Sequence, residues 1–372
     1  MKSRRRALLT LLVLAAIGAA ATMALRSPAV LADIFRHEAM RRLADPIDPD
    51  LFDGKALRVI LCGTSSPLPD PERAKSCAVV IAGDRAFVVD TGPESWKTLA
   101  LMGFPGEKIA AVLLTHFHSD HIGDLGEFAL QTWVAGRKLP LPVHGGPGVE
   151  TVVAGFNQAY ALDDGYRAAL HGADLAPIEA APLVAAPFRI GTADSHDESE
   201  IIYDRDGLRI TAFDVDHSPA TPAVGYRFDY GARSVVFSGD TRKSPNLALH
   251  AGHADVLIHE AQSQRMRAIL AGAARAAGNM VVYQILRDIE GYHTSPVEAA
   301  EVANAADVGL LVFSHFTPPL FSRLFNPLFF EGVDAVRPGS GWVAGTDGLR
   351  LDLPIGSRAI LQSQLSLSPM RW

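Results

Sequence analysis

One short segment constrains the fold of this chain more than any other: His116-Phe117-His118-Ser119-Asp120-His121 holds four metal-binding side chains within six residues. The segment follows the apolar, strand-like run Ala111–Leu114. Two histidines with one residue between them can chelate one ion, and the Asp-His pair that follows can reach a second ion. A solvated histidine-rich loop is the competing interpretation, and a metal site requires further ligands from elsewhere in the chain.

The same order, an apolar run followed by a histidine or a carboxylate, recurs later in the chain. The runs and the residues that follow them are Leu208–Val215 with His217, Ser234–Ser238 with Asp240, Val256–Ile258 with His259 and Glu260, and Leu310–Ser314 with His315. Helix-like segments lie between them, such as residues 124–134 and a helix that starts at Ser295 with a capping-box pattern. This mixture predicts sheets flanked by helices, with a site on the loops at the strand ends.

In these motifs the chain resembles the metallo-β-lactamase superfamily, and within it the branch of ribonuclease Z and the zinc arylsulfatases. The likeness extends from residue 57 to residue 353. The matching stretches are Leu61-Cys62-Gly63-Thr64 and Pro71-Glu72-Arg73 for the first strand and loop, His217-Ser218-Pro219 with Val224-Gly225-Tyr226-Arg227 for the third-histidine motif, Ile258-His259-Glu260-Ala261 for the His-Glu-Ala-Thr motif, and His293-Thr294-Ser295 for the His-Ser-Thr motif. Two details depart from that branch: Gln262 replaces the Thr, and Thr294 and Ser295 are exchanged.

The resemblance implies an α/β chain folded as a four-layer αββα metallo-β-lactamase sandwich, with two divalent metal ions at one rim. The implied ligands are His116, His118 and His217 for the first ion, Asp120, His121 and His315 for the second, and Asp240 as a bridge between them. A histidine-rich set favours zinc, although manganese and iron(II) accept the same ligands.

A site of this kind predicts hydrolysis of an ester. Two ions about 3.5–4 Å apart lower the pKa of a shared water, and the metal-bridging hydroxide can attack phosphorus, sulfur or a carbonyl carbon. Asp120 would orient or deprotonate this water. His293, held by Glu260, would give a proton to the leaving oxygen. The alternative is that this pair only orients His315 or another ligand, and His259 is expected to be structural.

The N-terminus differs from the rest of the chain. Lys2, Arg4, Arg5 and Arg6 precede an uncharged run, which predicts a signal peptide or membrane anchor over residues 1–25 rather than a buried helix. A connecting segment over residues 26–55, with a short surface helix, then leads into a hydrolase domain over residues 56–372. The expected location is the periplasm, either free or anchored in the membrane and facing the periplasm.

Charge and cysteine content bear on possible partners. The net charge is −7, and subtracting the four cations of residues 1–25 leaves −11. Residues 145–206, predicted as a solvated insertion or lid, hold eleven acidic residues against three arginines. Such a chain is a poor partner for a polyanion.

Cys62 and Cys77 lie in strand-like runs that can pair, so a disulfide and two buried free thiols both fit.

Three functions fit these features. The first choice is an exported hydrolase of small or oligomeric esters, of the aryl sulfate or phosphodiester type, with no nucleic-acid partner and with membrane contact only through an uncleaved N-terminal segment. The second is a tRNA 3′-processing endoribonuclease like ribonuclease Z. Export, the acidic balance, and an acidic segment where that family carries a basic, glycine-rich arm count against it. The third is a non-catalytic metal-binding relative, which the full ligand set disfavours. A dimer is compatible with each.

Overall fold

The computed structural model describes residues 13–15, 22–23, 26–43, 48, 50–190, 199–320 and 322–367. They belong to two compact units, and the second spans Pro49–Ser368. Within the first unit, helix α1, Pro28–Leu43, extends further than the short surface helix that the sequence predicts. Most of the predicted signal or anchor, residues 1–25, lies outside the described residues. Among the described helices, none combines the length and the apolar composition needed to cross a bilayer.

The described part of the second unit is built on two sheets. Its strands in chain order are β1 Ala56–Gly63, β2 Cys77–Ala82, β3 Arg85–Val89, β4 Ile109–Leu113, β5 Leu141–Gly145, β6 Leu183–Pro187, β7 Ser199–Arg205, β8 Leu208–Asp214, β9 Val224–Tyr230, β10 Arg233–Phe237, β11 Val256–Gln262, β12 Leu310–Thr317, β13 Trp342–Ala344, β14 Leu349–Pro354 and β15 Leu361–Gln364. The first sheet has the order β15-β14-β1-β2-β3-β4-β5-β6, and the second has the order β13-β12-β11-β10-β9-β8-β7. Strands β3 to β6 are parallel to one another, as are β10 to β13. Within each group, the carboxyl ends of the strands therefore lie on the same side of the sheet.

Helices cover the outer faces of both sheets. They are α2 Ser95–Leu101, α3 Ser119–Ile122, α4 Leu125–Val134, α5 Val149–Leu175, α6 Pro245–His250, α7 Gln264–Ala276, α8 Met280–Asp288, α9 Pro296–Ala305, α10 Asn326–Phe329 and α11 Val333–Val336. Apolar side chains from both sheets fill the space between them, among them Val59, Phe87 and Tyr226. Two further clusters pack helices on the outer faces, through Phe128 on the first sheet and Ala299 on the second. The result is the four-layer αββα sandwich that the sequence predicts.

The acidic segment, residues 145–206, is more regular than the sequence suggests. It contains the 27-residue helix α5 and two strands, of which β6 forms an edge of the first sheet and β7 an edge of the second. Val149, Val153, Phe156 and Tyr160 follow one another at helical spacing and face the body of the protein. Glycines and aspartates interrupt this apolar pattern and hide it in the sequence. Most of α5 is exposed. The description of this segment as a solvated insertion or lid stays a prediction.

The two cysteines form a disulfide, one of the two states that the sequence allows. Cys62 on β1 is bonded to Cys77 on β2. The bond closes the loop between these strands, and this loop lies beside the end of β12, because the amide of Phe316 donates to the carbonyl of Thr64. Asp347 fixes the base of the same loop by accepting hydrogen bonds from the Thr64 hydroxyl and the Ala74 amide. Burial raises the pKa of Asp347 to about 6.

Candidate metal centre

The loop after β4 supplies one half of the site. His116 follows the strand, His118 precedes α3, and Asp120 and His121 lie in the single turn of that helix. A short helix directly after the strand turns these side chains toward the edge of the sandwich. His116, Asp120 and His121 are buried, whereas His118 is exposed.

The second sheet supplies the other half. His217 follows β8, Asp240 follows β10, and His315 lies near the end of β12. His315 has a φ of 49°, in the left-handed region that few residues other than glycine adopt. The register between β11 and β12 shifts at the same point, between Glu260 and Ala261. This local irregularity changes the direction of the side chain, as bulges beside active sites do.

Three histidines form the first ligand group. The Nε2 atom of His116 lies 2.8 Å from the Nδ1 atom of His118. His217 completes the group, and one ligand atom from each residue lies within 4.8 Å of the others. Three imidazole nitrogens that converge in this way could hold one zinc ion.

Asp120, His121 and His315 form the second group, within the same limit of 4.8 Å. Asp120 Oδ2 lies 3.1 Å from His315 Nε2 and 3.5 Å from His121 Nε2. Asp240 Oδ2 lies 3.4 Å from His121 Nε2, 3.3 Å from His315 Nε2 and 3.8 Å from His217 Nε2. Asp240 therefore contacts both groups, in the position of a bridging carboxylate. The structure brings together every residue that the sequence proposes as a ligand.

The electrostatics of the site favour deprotonated ligands at several positions. Burial lowers the pKa of His116 well below its usual range and that of His217 to about 4. Burial acts to raise the pKa of Asp240, but His315 and His121 outweigh it and hold that pKa well below its usual range. His121 differs, because Asp240 and Asp120 outweigh burial and raise its pKa. A cation that replaces this proton can satisfy the same carboxylates.

The donor atoms fit a divalent ion. The Nε2 atoms of His121 and His217 are buried and have no hydrogen-bond partner among the described residues. Buried polar atoms are normally paired, so these two nitrogens indicate a ligand. Imidazole and carboxylate together suit zinc, manganese and iron alike.

Residues outside the ligand set hold some of the ligands, and the sequence analysis missed them. Asp90 Oδ2 lies 2.8 Å from Nδ1 of His121 and accepts a hydrogen bond from the Thr115 hydroxyl. Thr115 Oγ1 in turn lies 3.1 Å from Nδ1 of His116. Outer hydrogen bonds of this kind fix the ring orientation of a ligand. Asp90 directly follows β3, so the strand-end pattern used for the other residues could have identified it.

Glu260 and His293 lie beside the ligands, as the sequence predicts. Nδ1 of His293 lies 3.1 Å from Oε1 of Glu260, and both side chains are buried. Burial acts to lower the pKa of His293, but the Glu260 carboxylate outweighs it and raises that pKa to about 9. Tyr292 stacks on the ring of His217 with a centroid separation of 4.0 Å, a contact absent from the sequence analysis. His259 is fully buried, and its Nδ1 lies 2.8 Å from the Glu260 carbonyl oxygen, as expected for a structural residue.

Comparison with known proteins agrees with this geometry. Ribonuclease Z of Mycobacterium bovis (strain BCG / Pasteur 1173P2) is 38% identical over 270 residues, which cover 71% of this chain and 87% of that protein. Ribonuclease Z of Mycobacterium avium (strain 104) is 36% identical over 267 residues, with coverage of 71% and 87%. The chain therefore matches most of the length of both relatives.

Two crystal structures share the fold at low sequence identity. Human tRNase Z, short form, has a TM-score of 0.56 and 18% identity, over 80% of this chain and 100% of that one. The metallo-beta-lactamase fold protein YhfI from Bacillus subtilis has a TM-score of 0.55 and 20% identity, over 80% and 99%. The family model described as the metallo-beta-lactamase superfamily matches residues 70–315, which include all the proposed ligands. The chain belongs to the metallo-beta-lactamase superfamily and is a hydrolase of its fold.

Proposed function

We propose that this protein is a metal-dependent phosphodiesterase of the ribonuclease Z type, which cleaves RNA. The observation that carries the proposal is the position of His293 beside the ligand groups. One of its ring nitrogens lies within 4.8 Å of ligand atoms of Asp240 and His315, while Nδ1 faces Glu260. The site thus combines two ligand groups with a histidine that can donate a proton.

The chemistry of the leaving group determines how much His293 contributes to the rate of cleavage. A sugar alkoxide is a strong base and needs a proton as it departs, whereas a nitrophenolate leaves without one. Without metal ions, the Glu260 carboxylate raises the pKa of His293, and because Nδ1 faces Glu260, the other ring nitrogen, Nε2, is the one available to donate a proton. Two bound divalent ions would supply a deprotonated water and stabilise the negative charge of the transition state. Cleavage of a sugar phosphodiester requires both the proton donor and the metal ions. Cleavage of an aryl sulfate requires mainly the metal ions.

The comparisons favour this function over the hydrolysis of small or oligomeric esters by an exported enzyme. The relatives at 36–38% identity are named ribonuclease Z, and nothing in the comparisons supports a sulfatase. The expectation that nucleic acid is not a partner conflicts with those names. The acidic balance of the chain argued against RNA, but a substrate can bind through a local surface whose charge differs from the average.

A second candidate, hydrolysis of smaller phosphodiesters outside the cytoplasm, is favoured by the Cys62–Cys77 disulfide. Disulfides persist in oxidising compartments and are rare in the cytosol. The basic run before residues 7–25 supports export in the same way. Cell fractionation tests this: the second candidate requires the protein outside the cytoplasm, and a cytoplasmic location with free thiols contradicts it.

A substrate panel tests the proposed function. The purified protein, loaded with zinc or manganese, is assayed on a precursor tRNA with a 3′ extension, on bis-nitrophenyl phosphate and on nitrophenyl sulfate. We expect cleavage of the precursor at one site, weaker turnover of the phosphodiester, and loss of both with a chelator. Turnover of nitrophenyl sulfate or of the small phosphodiester without RNA cleavage contradicts the RNA assignment.

A further inference from the structure

A cavity of about 40 Å³ lies behind the metal ligands, lined by residues of both sheets. Glu260, Ser314 and His315 contribute to its wall. A cavity can hold a water molecule when it offers at least about 10–15 Å³ and several polar partners. This cavity has both the space and the polar groups.

The Nδ1 atom of His315 needs a hydrogen-bond acceptor. Its Nε2 atom faces Asp120 and Asp240, at 3.1 and 3.3 Å, so Nε2 is the ligand nitrogen. The neutral imidazole then carries its hydrogen on Nδ1. That atom is buried, and no described residue accepts a hydrogen bond from it. Metal-binding histidines almost always donate this hydrogen to a carboxylate, a carbonyl or a water, as His121 does to Asp90 here.

Glu260 has a complementary atom. Its Oε1 accepts hydrogen bonds from His293 Nδ1 and from the backbone amides of Thr241 and Thr294. Its Oε2 is buried and has no partner among the described residues. Glu260 and Ser314 are register partners on β11 and β12, and Ser314 directly precedes His315. His315 and Glu260 therefore line the same small cavity, and each has one buried polar atom without a partner among the described residues.

We propose that a water molecule in this cavity accepts the Nδ1–H of His315 and donates to Oε2 of Glu260. Glu260 is then a positioning residue for two side chains: it holds His293 directly through Oε1 and His315 through the water and Oε2. The proton donor and a ligand of the second ion are thereby linked through one carboxylate. The inference rests on the metal assignment of the proposed function.

A high-resolution crystal structure tests the water site directly, in both metal-free and zinc-loaded protein. We expect a water peak within hydrogen-bond distance of His315 Nδ1 and Glu260 Oε2 in both forms. A cavity without density, or a water that contacts neither atom, overturns the proposal. Because the metal-free form is included, this result is separate from whether the proposed phosphodiesterase activity exists.

A cavity-filling variant tests the consequence. Ala78 on β2 is buried and lines the cavity, so Ala78→Val puts two methyl groups into the space of the water. The matched control is Ala82→Val, on the same strand and in the same core cluster but away from the cavity. We expect Ala78→Val to lower zinc affinity at the second position by about 10–100-fold. The distance of 3.1 Å between His293 and Glu260 should stay unchanged in its crystal structure. Equal zinc affinity in the two variants overturns the positioning role, and if Ala78→Val does not fold, the crystallographic test still decides.

Discussion

The two halves of the site are assembled in different ways. The half from the first sheet comes from one loop of six residues, 116–121. Its buried His121 donates to Asp90, and its buried His116 forms a hydrogen bond with Thr115. The half from the second sheet comes from strand ends spread over 99 residues, 217–315. In that half, Nδ1 of His217 and of His315 have no partner among the described residues. The half from the first sheet, the local half, is held by side chains that contact it. The half from the second sheet, the distant half, depends on the packing of the whole sandwich and, by our proposal, on a buried water.

Asp240 joins the halves, so its loss should have the largest effect. We expect Asp240→Ala to lower turnover of the RNA substrate by at least about a thousandfold, because the variant removes a ligand shared by both ion positions and with it the main electrostatic stabilisation. Steady-state kinetics measure the effect. Asp229→Ala, on β9, is the control and should retain activity. Activity near the control value would show that the halves function without a bridge.

His293 should have the next largest effect. We expect His293→Ala to lower turnover of the RNA by about 100- to 10,000-fold and to lower that of bis-nitrophenyl phosphate less, because only the alkoxide needs the proton. Zinc content should stay the same, which separates this role from metal binding. The exposed His253 provides the control variant His253→Ala. An equal loss on both substrates would contradict the role of proton donor.

Asp90 tests whether the outer hydrogen bonds stabilise the local half. We expect Asp90→Asn to weaken zinc binding by about 10–100-fold. Oδ2 of Asp90 accepts from His121 and from the Thr115 hydroxyl, and Oδ1 accepts from the Thr115 amide. An asparagine places an NH2 donor against one of these donors. Competition with a chromophoric chelator measures the affinity. Asp84→Asn, at the exposed turn between β2 and β3, is the matched control. If the two variants bind zinc with equal affinity, the hydrogen bonds of Asp90 do not stabilise the local half.

The smallest expected effect concerns the pH dependence of the metal-free protein. Glu260 raises the pKa of His293 to about 9, above the value of about 6.5 in an unfolded chain. The resulting contribution to the free energy of unfolding is fully present below pH 6.5 and is lost as the pH rises through about 9. NMR titration of His293 should therefore show a midpoint near pH 9, and Glu260→Gln should lower it. An unchanged midpoint in Glu260→Gln would mean that another group holds the proton.

The sequence predicts the local half of the site almost completely, because metal chelation by neighbouring residues is a short-range pattern. It also predicts His217, Asp240 and His315, since the ends of parallel strands meet at one edge of a sheet. Asp90 also follows a strand, but no histidine lies beside it that would mark it in the sequence. The left-handed backbone of His315 and the stacking of Tyr292 depend on packing between elements distant in sequence. Helix α5 was missed because glycines and aspartates interrupt its apolar pattern and most of the helix is exposed.

The substrate could not be derived from the ligand set, because the same ligands serve sulfate and phosphate esters. The acidic net charge favours a small ester, whereas the relatives at 36–38% identity are named ribonuclease Z. Net charge describes the whole surface, and recognition depends on the few side chains around the site.

Metal content is the most direct test of the central claim, that two halves form one dinuclear site. Elemental analysis of the purified protein, before and after reconstitution, should give two divalent ions per chain, and at most one in Asp240→Ala. The His217→Ala and His315→Ala variants should each lose a different ion, because these residues belong to different ligand groups. Protein that binds no metal after reconstitution, or Asp240→Ala that still holds two ions, would contradict the account.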